Sequence, residues 1–94
     1  MNNNTTANVI PANALILFDL YIRDAGNWSG TPLVGSNVCL LGEREDRGLL
    51  THLKKAGVIR TFVDEGCTWL QFTDAGKALA ISRGLDVSSL AWAI

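Results

Sequence analysis

The stretch Glu43-Arg-Glu-Asp-Arg-Gly-Leu-Leu-Thr-His-Leu-Lys-Lys-Ala-Gly57 runs directly into Val58-Ile-Arg-Thr-Phe-Val-Asp-Glu-Gly-Cys-Thr-Trp-Leu-Gln-Phe-Thr73. Its first half has helix composition, and Leu49, Leu50, Leu53 and Ala56 recur at the three-and-four spacing of one apolar stripe. Gly57 stands where a helix C-terminal cap belongs, and beyond it the pattern changes from helix to strand. Two short strand-like runs flank Asp64-Glu65-Gly66, where glycine supplies the positive φ of a tight hairpin. Helix, capping glycine and hairpin form one unit, and the rest of the chain has to be read around it.

The chain of 94 residues is one domain, 48% hydrophobic and only 18% charged, hence globular. So low a charged fraction in so small a domain implies that some apolar surface goes into a partner, most simply a second copy. Net charge is −1, whereas nucleic-acid modules usually carry a basic excess. A DNA face must therefore come from local segregation of the 8 basic residues. Cys39 and Cys67 lie far apart without metal-ligand spacing. They read as a small buried residue and a strand thiol in a reducing compartment, with no metal and no cofactor implied. No secretory signal is visible, and the run Ala14 to Ile22, broken by Asp19, is too short to span a bilayer. The expectation is a cytoplasmic protein with no membrane partner.

Residues 1–10 read as a disordered tail, 11–84 as the folded domain, and 85–94 as an apolar segment docked on the domain or in a dimer interface. Pro11 opens a helix that continues from Ala12 to Ala25. That helix is apolar on several flanks, carrying Leu15, Phe18 and Ile22 on one, Ile16 and Leu20 on another, and Leu17 and Tyr21 on a third. It is either wrapped by its own domain or shared, and sharing is favoured in so short a chain. The expectation is a homodimer joined through Leu15, Phe18, Ile22, Leu90 and Trp92. Trp28 is a possible loop anchor, and Pro32 to Val34 either adds a third strand or begins the next helix. Ser36 is a plausible N-cap for a short helix from Asn37 to Leu41, ended by Gly42. Thr73 caps a last helix, Asp74 to Arg83, with Ala75, Ala78, Leu79 and Ser82 as its inner stripe. The class is α+β, mostly α.

Leu49 to Ile59 and Leu70-Gln71-Phe72-Thr73-Asp74-Ala75-Gly76 resemble the winged helix-turn-helix regulators of the MarR and PadR type, and small phage-type winged-helix proteins. The shared phrases are a helix ending in "leucine, charges, glycine, two aliphatics" and a next helix opening with "aliphatic-Thr-x-x-Gly". They cover roughly Thr31 to Ala80 and specify a fold, not a ligand. The resemblance implies a β-hairpin wing with flanking helices, a dimer, and a recognition helix placed in the major groove of double-stranded DNA. One departure is Asp46, which falls where those families place a buried aliphatic.

On that reading the candidate nucleic-acid residues are Arg44, Arg47, His52, Lys54, Lys55 and Arg60. Arg44 and Arg47 can reach guanine edges or phosphates, while Arg47 is equally placed to pair with Glu43 at the i,i+4 spacing. Glu43, Glu45, Asp46, Asp64 and Glu65 oppose DNA, although acids at a helix start suit its dipole. The same five carboxylates support an alternative: a non-catalytic protein-binding winged helix, such as a phage-encoded, anti-CRISPR-like inhibitor that meets a basic surface on a host protein. No phosphate-binding loop, acid–base pair or nucleophile arrangement is present, so no catalytic residue is assigned and an enzyme is not expected. A small dimeric transcriptional regulator is the first expectation.

Overall fold

A computed structural model describes residues 10–90 apart from Ser29 and Ser36, and apart from the side chain of Ser89. Three helices and one antiparallel hairpin follow in order: α1 (Ala12–Asp24), α2 (Glu43–Lys55), β1 (Ile59–Asp64), β2 (Cys67–Phe72) and α3 (Asp74–Ser82). Short 3₁₀ turns cover Ala25–Asn27 and Ser88–Leu90. The class is α+β, and the arrangement is compatible with a small winged-helix-like fold. Among the described residues no helix is long and apolar enough to cross a membrane.

The α2–hairpin unit forms as its residue pattern requires. Gly57 takes a positive φ of 79° just past the end of α2. Its N–H donates to the Lys54 carbonyl, and the N–H of Val58 donates to that of Leu53, while Leu53 and Val58 are themselves buried. This is a Schellman ending with its hydrophobic contact. The hairpin pairs Ile59 with Phe72 through to Asp64 with Cys67. That register leaves Glu65 and Gly66 as a two-residue turn, both at positive φ (52° and 78°), which matches the twist of the strands.

The Thr-x-x-Gly phrase has a direct physical reading. The Thr73 hydroxyl donates to the Gly57 carbonyl and accepts from the N–H of Gly76 at 3.0 Å, so one side chain joins the end of α2 to the start of α3. At Gly76 an added Cβ would stand 2.0 Å from the carbonyl oxygen of Val58; only glycine allows this approach. The inner stripe of α3 is accordingly not the expected one. Gly76 and Ala80 are buried and Leu79 partly so, whereas Ala75, Ala78 and Ser82 face solvent.

The core gathers Leu17, Phe18 and Tyr21 of α1, Leu50 and Leu53 of α2, and Ile59, Leu70 and Phe72 of the hairpin. Phe18 meets Phe72 edge to face at 5.6 Å. Leu90 is fully buried, and its turn packs against the turn that ends α1. Arg83 grips Asp19 through two hydrogen bonds of 2.7 Å, tying the end of α3 to α1.

Pro32 to Val34 resolves as the strand option. Leu33 bridges Trp69, the N–H of Val34 donates to Thr68, and the N–H of Leu70 donates to Pro32. Residues 37–41, however, do not form the expected helix. The N–H groups of Leu40 and Leu41 donate instead to the two carboxylate oxygens of Asp46, at 2.8 and 2.9 Å. The Ser36 cap falls outside the described residues, as does nearly all of the expected N-terminal tail. Ile10 is described, and it packs against the core.

Candidate functional site

The exposed surface of α2 is set by what the helix buries. Asp46, Leu50 and Leu53 turn inward. At about 100° per residue, the line opposite them holds Arg44, Gly48, Thr51 and Lys55, all exposed. No acid lies on that line. Arg47 and Lys54 flank it on one side and His52 on the other, while Glu43 and Glu45 sit at the margins. The structure thus brings five of the six candidate nucleic-acid residues onto one convex ridge.

Arg60 does not join them. Strand alternation places it with Phe62 and Asp64 on one face of β1, and its guanidinium donates to Gln71 on the neighbouring strand at 3.0 Å. Thr61, on the other face, shares a groove with Lys54. Arg47 takes the alternative left open by its spacing and pairs with Glu43 at 2.7 Å, fully in solvent. Such a pair contributes only about 0.3–0.5 kcal/mol and opens readily when a phosphate competes.

Of the five carboxylates proposed for a basic partner, Asp46 has to be withdrawn. It is 7% exposed, and both its oxygens are taken by the Leu40 and Leu41 N–H groups. A carboxylate stands where an aliphatic was expected because this loop supplies two backbone donors that need an acceptor. Glu43, Glu45, Asp64 and Glu65 remain exposed.

The dimer residues are corrected in the same way. Phe18, Ile22 and Leu90 are buried inside the chain's own core, leaving only Leu15, half-buried, toward the outside. The chain's own core takes the Leu17, Phe18, Tyr21 and Ile22 side of α1, while Ile16 is 44% exposed and Leu15 and Leu20 are half-buried. Trp92 lies outside the described residues.

Between α2 and the wing runs a groove of about 810 Å³, walled by Arg47, Leu50 and Lys54 on one side and Thr61 and Thr68 on the other. Tyr21 lines it too, accepting a 3.2 Å hydrogen bond from the N–H of Gly35. Burial pushes its phenol above the ordinary value, partly offset by that N–H. Cys39, expected to be buried, is exposed, and both cysteines are free thiols lining this groove. Among the described residues no group of His, Cys, Asp and Glu has the makings of a metal site.

Two features escaped the sequence reading. Asp24, 6% exposed, accepts from Asn27 Nδ2 (3.0 Å), Trp28 Nε1 (3.0 Å) and Asn37 Nδ2 (3.2 Å). Its position was a clue: an acid in the last turn of α1 opposes the helix dipole and so needs specific donors. The second is the contact between Trp28 and Trp69, whose rings meet at 5.5 Å and 70°. Nothing in a 41-residue separation announces such a pair.

No protein-family model, curated protein or solved structure matches the chain.

Proposed function

We propose that this is a small winged-helix DNA-binding protein that presents α2 to the major groove. The observation that supports it is the acid-free line Arg44, Gly48, Thr51 and Lys55 on the outermost side of α2. The net charge of −1 understates that ridge, because the acids are distributed elsewhere. Asp46 and Asp24 are buried, Glu43 is occupied by Arg47, Glu45 stands at the ridge's margin, and Asp64 and Glu65 are confined to the hairpin tip. Gly48, with open space where a Cβ would stand, lets the ridge approach a groove floor closely. Arg44 suits a guanine edge or phosphate, Thr51 a phosphate or base edge, and Lys54 and Lys55 phosphates. A transcriptional role follows as the commonest use of such a module. Pairing through Phe18, Ile22 and Leu90 is no part of the proposal, since all three are buried in the chain's own core.

The test is fluorescence anisotropy with a labelled random duplex across a salt series. Binding should weaken linearly on logarithmic axes, and the double variant Arg44→Ala with Lys55→Ala should lower the slope by about 1.8, two phosphate contacts' worth. No binding at low salt, or a double variant indistinguishable from wild type, would refute the reading. Capture of basic proteins without any DNA binding would favour the protein-binding alternative through Glu45, Asp64 and Glu65.

A further inference from the structure

We infer that the corner between Trp28 and Trp69 is a docking site for a lysine or arginine side chain on a partner protein. The site lies on the hairpin, away from the α2 ridge, and is independent of the DNA reading.

The two indole planes meet at 70°, so the space beside their contact is walled by ring faces on two sides. Phe62, directly opposite Trp69 in the strand register and exposed, forms a third wall. Asn27, Thr31 and Asp64 complete a pocket of about 410 Å³.

The ring N–H groups are already committed. Trp28 Nε1 donates to the buried carboxylate of Asp24 at 3.0 Å, and Trp69 Nε1 donates to the Asp64 carbonyl at 3.3 Å. The indoles are therefore fixed in orientation and have no donor left for a ligand. What they offer is π faces, which carry the negative end of the ring quadrupole. Asp64 is the one ionisable residue lining the pocket. The nearest cation along the strand face, Arg60, turns its guanidinium to Gln71 and is not part of the lining.

Charge selects the occupant. A phosphate or carboxylate would meet the ring quadrupoles and Asp64 with no cation to offset them, and a neutral apolar group would strip water from Asp64 without replacing its hydration. An ammonium or guanidinium satisfies the ring faces and the carboxylate together. The pocket is open on its solvent side, and the exposed Glu65 follows Asp64 directly in the chain. A cation carried on a basic protein segment gains from both, which a free small cation does not. Single-stranded nucleic acid would stack bases in the corner at the cost of bringing its phosphates to these acids.

The experiment uses the full chain labelled with ¹⁵N and follows the indole N–H signals. The probes are an oligoarginine peptide and its citrulline counterpart, which keeps the shape and removes the charge. The Trp28 and Trp69 signals should shift with the arginine peptide and stay in place with the citrulline one. Phe62→Ala should weaken the arginine peptide roughly fivefold to thirtyfold. Asp64→Asn, at an exposed strand end, should weaken it as well, and it stands as the second variant if Phe62→Ala perturbs the hairpin. Indole signals unmoved by the arginine peptide, or moved equally by citrulline, would overturn the inference. So would a response to single-stranded oligothymidine in place of the peptide.

Discussion

The segment from Ala25 to Gly42 and the segment from Gly57 to Thr73 are of similar length, and both run from a helix back across the core. They are held in opposite ways. The second is a ladder of backbone hydrogen bonds between β1 and β2, closed by a two-residue turn and sealed at its base by Thr73. Among its described residues the first makes one strand bridge, at Leu33. The amides of Trp28, Gly30 and Thr31 turn back onto the carbonyls of Ala25 and Trp28, and further polar groups are collected by side chains of the flanking helices: Asp24 and Tyr21 from α1, Asp46 from α2. One segment carries its fold in its own pattern. The other borrows its fold from residues that precede and follow it, so its path depends on tertiary contacts.

The largest effect is expected at the seam of the regular segment. Gly76→Ala drives a Cβ against the Val58 backbone, where no flexible side chain can yield. A loss of about 3 kcal/mol or more is expected in urea unfolding, and it should be global, with the hairpin and α3 lost together.

Asp46→Ala attacks the irregular segment. It leaves the N–H groups of Leu40 and Leu41 without their acceptor, at an expected cost of about 2–3 kcal/mol. Asp24→Ala should cost about 1–2 kcal/mol, since its donors Asn27 and Asn37 are exposed and can turn to water. Hydrogen exchange distinguishes the two segments: both aspartate variants should open residues 37–41 before the hairpin amides. Uniform opening would mean that the segments are one cooperative unit.

That contrast also explains how much could be read in advance. Leu49, Leu50 and Leu53, the Gly57 stop, the Glu65–Gly66 turn and the Thr73 cap are local signals, and each was legible with nearly correct bounds. The helix expected over Asn37–Leu41 was wrong because capping and composition compete there with a buried carboxylate, which no periodicity encodes. Asp46 showed itself only as an acid in an aliphatic position. The homodimer residues Phe18, Ile22 and Leu90 were misplaced for the same reason. Their apolar faces were visible, but the long-range contacts that bury them, such as that of Phe18 with Phe72, were not. On α2, the residue types of the ridge were legible; that its middle is free of acid emerged only once Asp46 was seen to face inward.

Tyr21 gives a spectroscopic handle on the irregular segment, because it is the only tyrosine. Burial holds its pKa above the ordinary value in the folded chain, so the folded state keeps the proton where the unfolded state begins to release it. Stability should fall as pH rises through the unfolded value of about 10. Phenolate absorbance should therefore appear together with unfolding. Ionisation at an ordinary pKa without loss of structure would show that Tyr21 is not enclosed as described.

The smallest effect belongs to the hairpin tip. Glu65 occupies the left-handed region (φ 52°), where Asn is tolerated better. Glu65→Asn should raise stability by about 0.5–1 kcal/mol in the same urea assay. No gain would mean that the turn is not the two-residue type.

On the proposed reading, the inward-facing Asp46 anchors α2 so that an acid-free ridge faces DNA. The most direct measurement is the amide chemical-shift map of the labelled chain on adding duplex DNA at low salt. The expected result is a set of perturbations concentrated at Arg44, Gly48, Thr51 and Lys55, with smaller ones at Arg47, His52 and Lys54, and none centred on the wing tip. Perturbations centred on Asp64 to Thr68, or no perturbation on α2 at any DNA concentration, would contradict it.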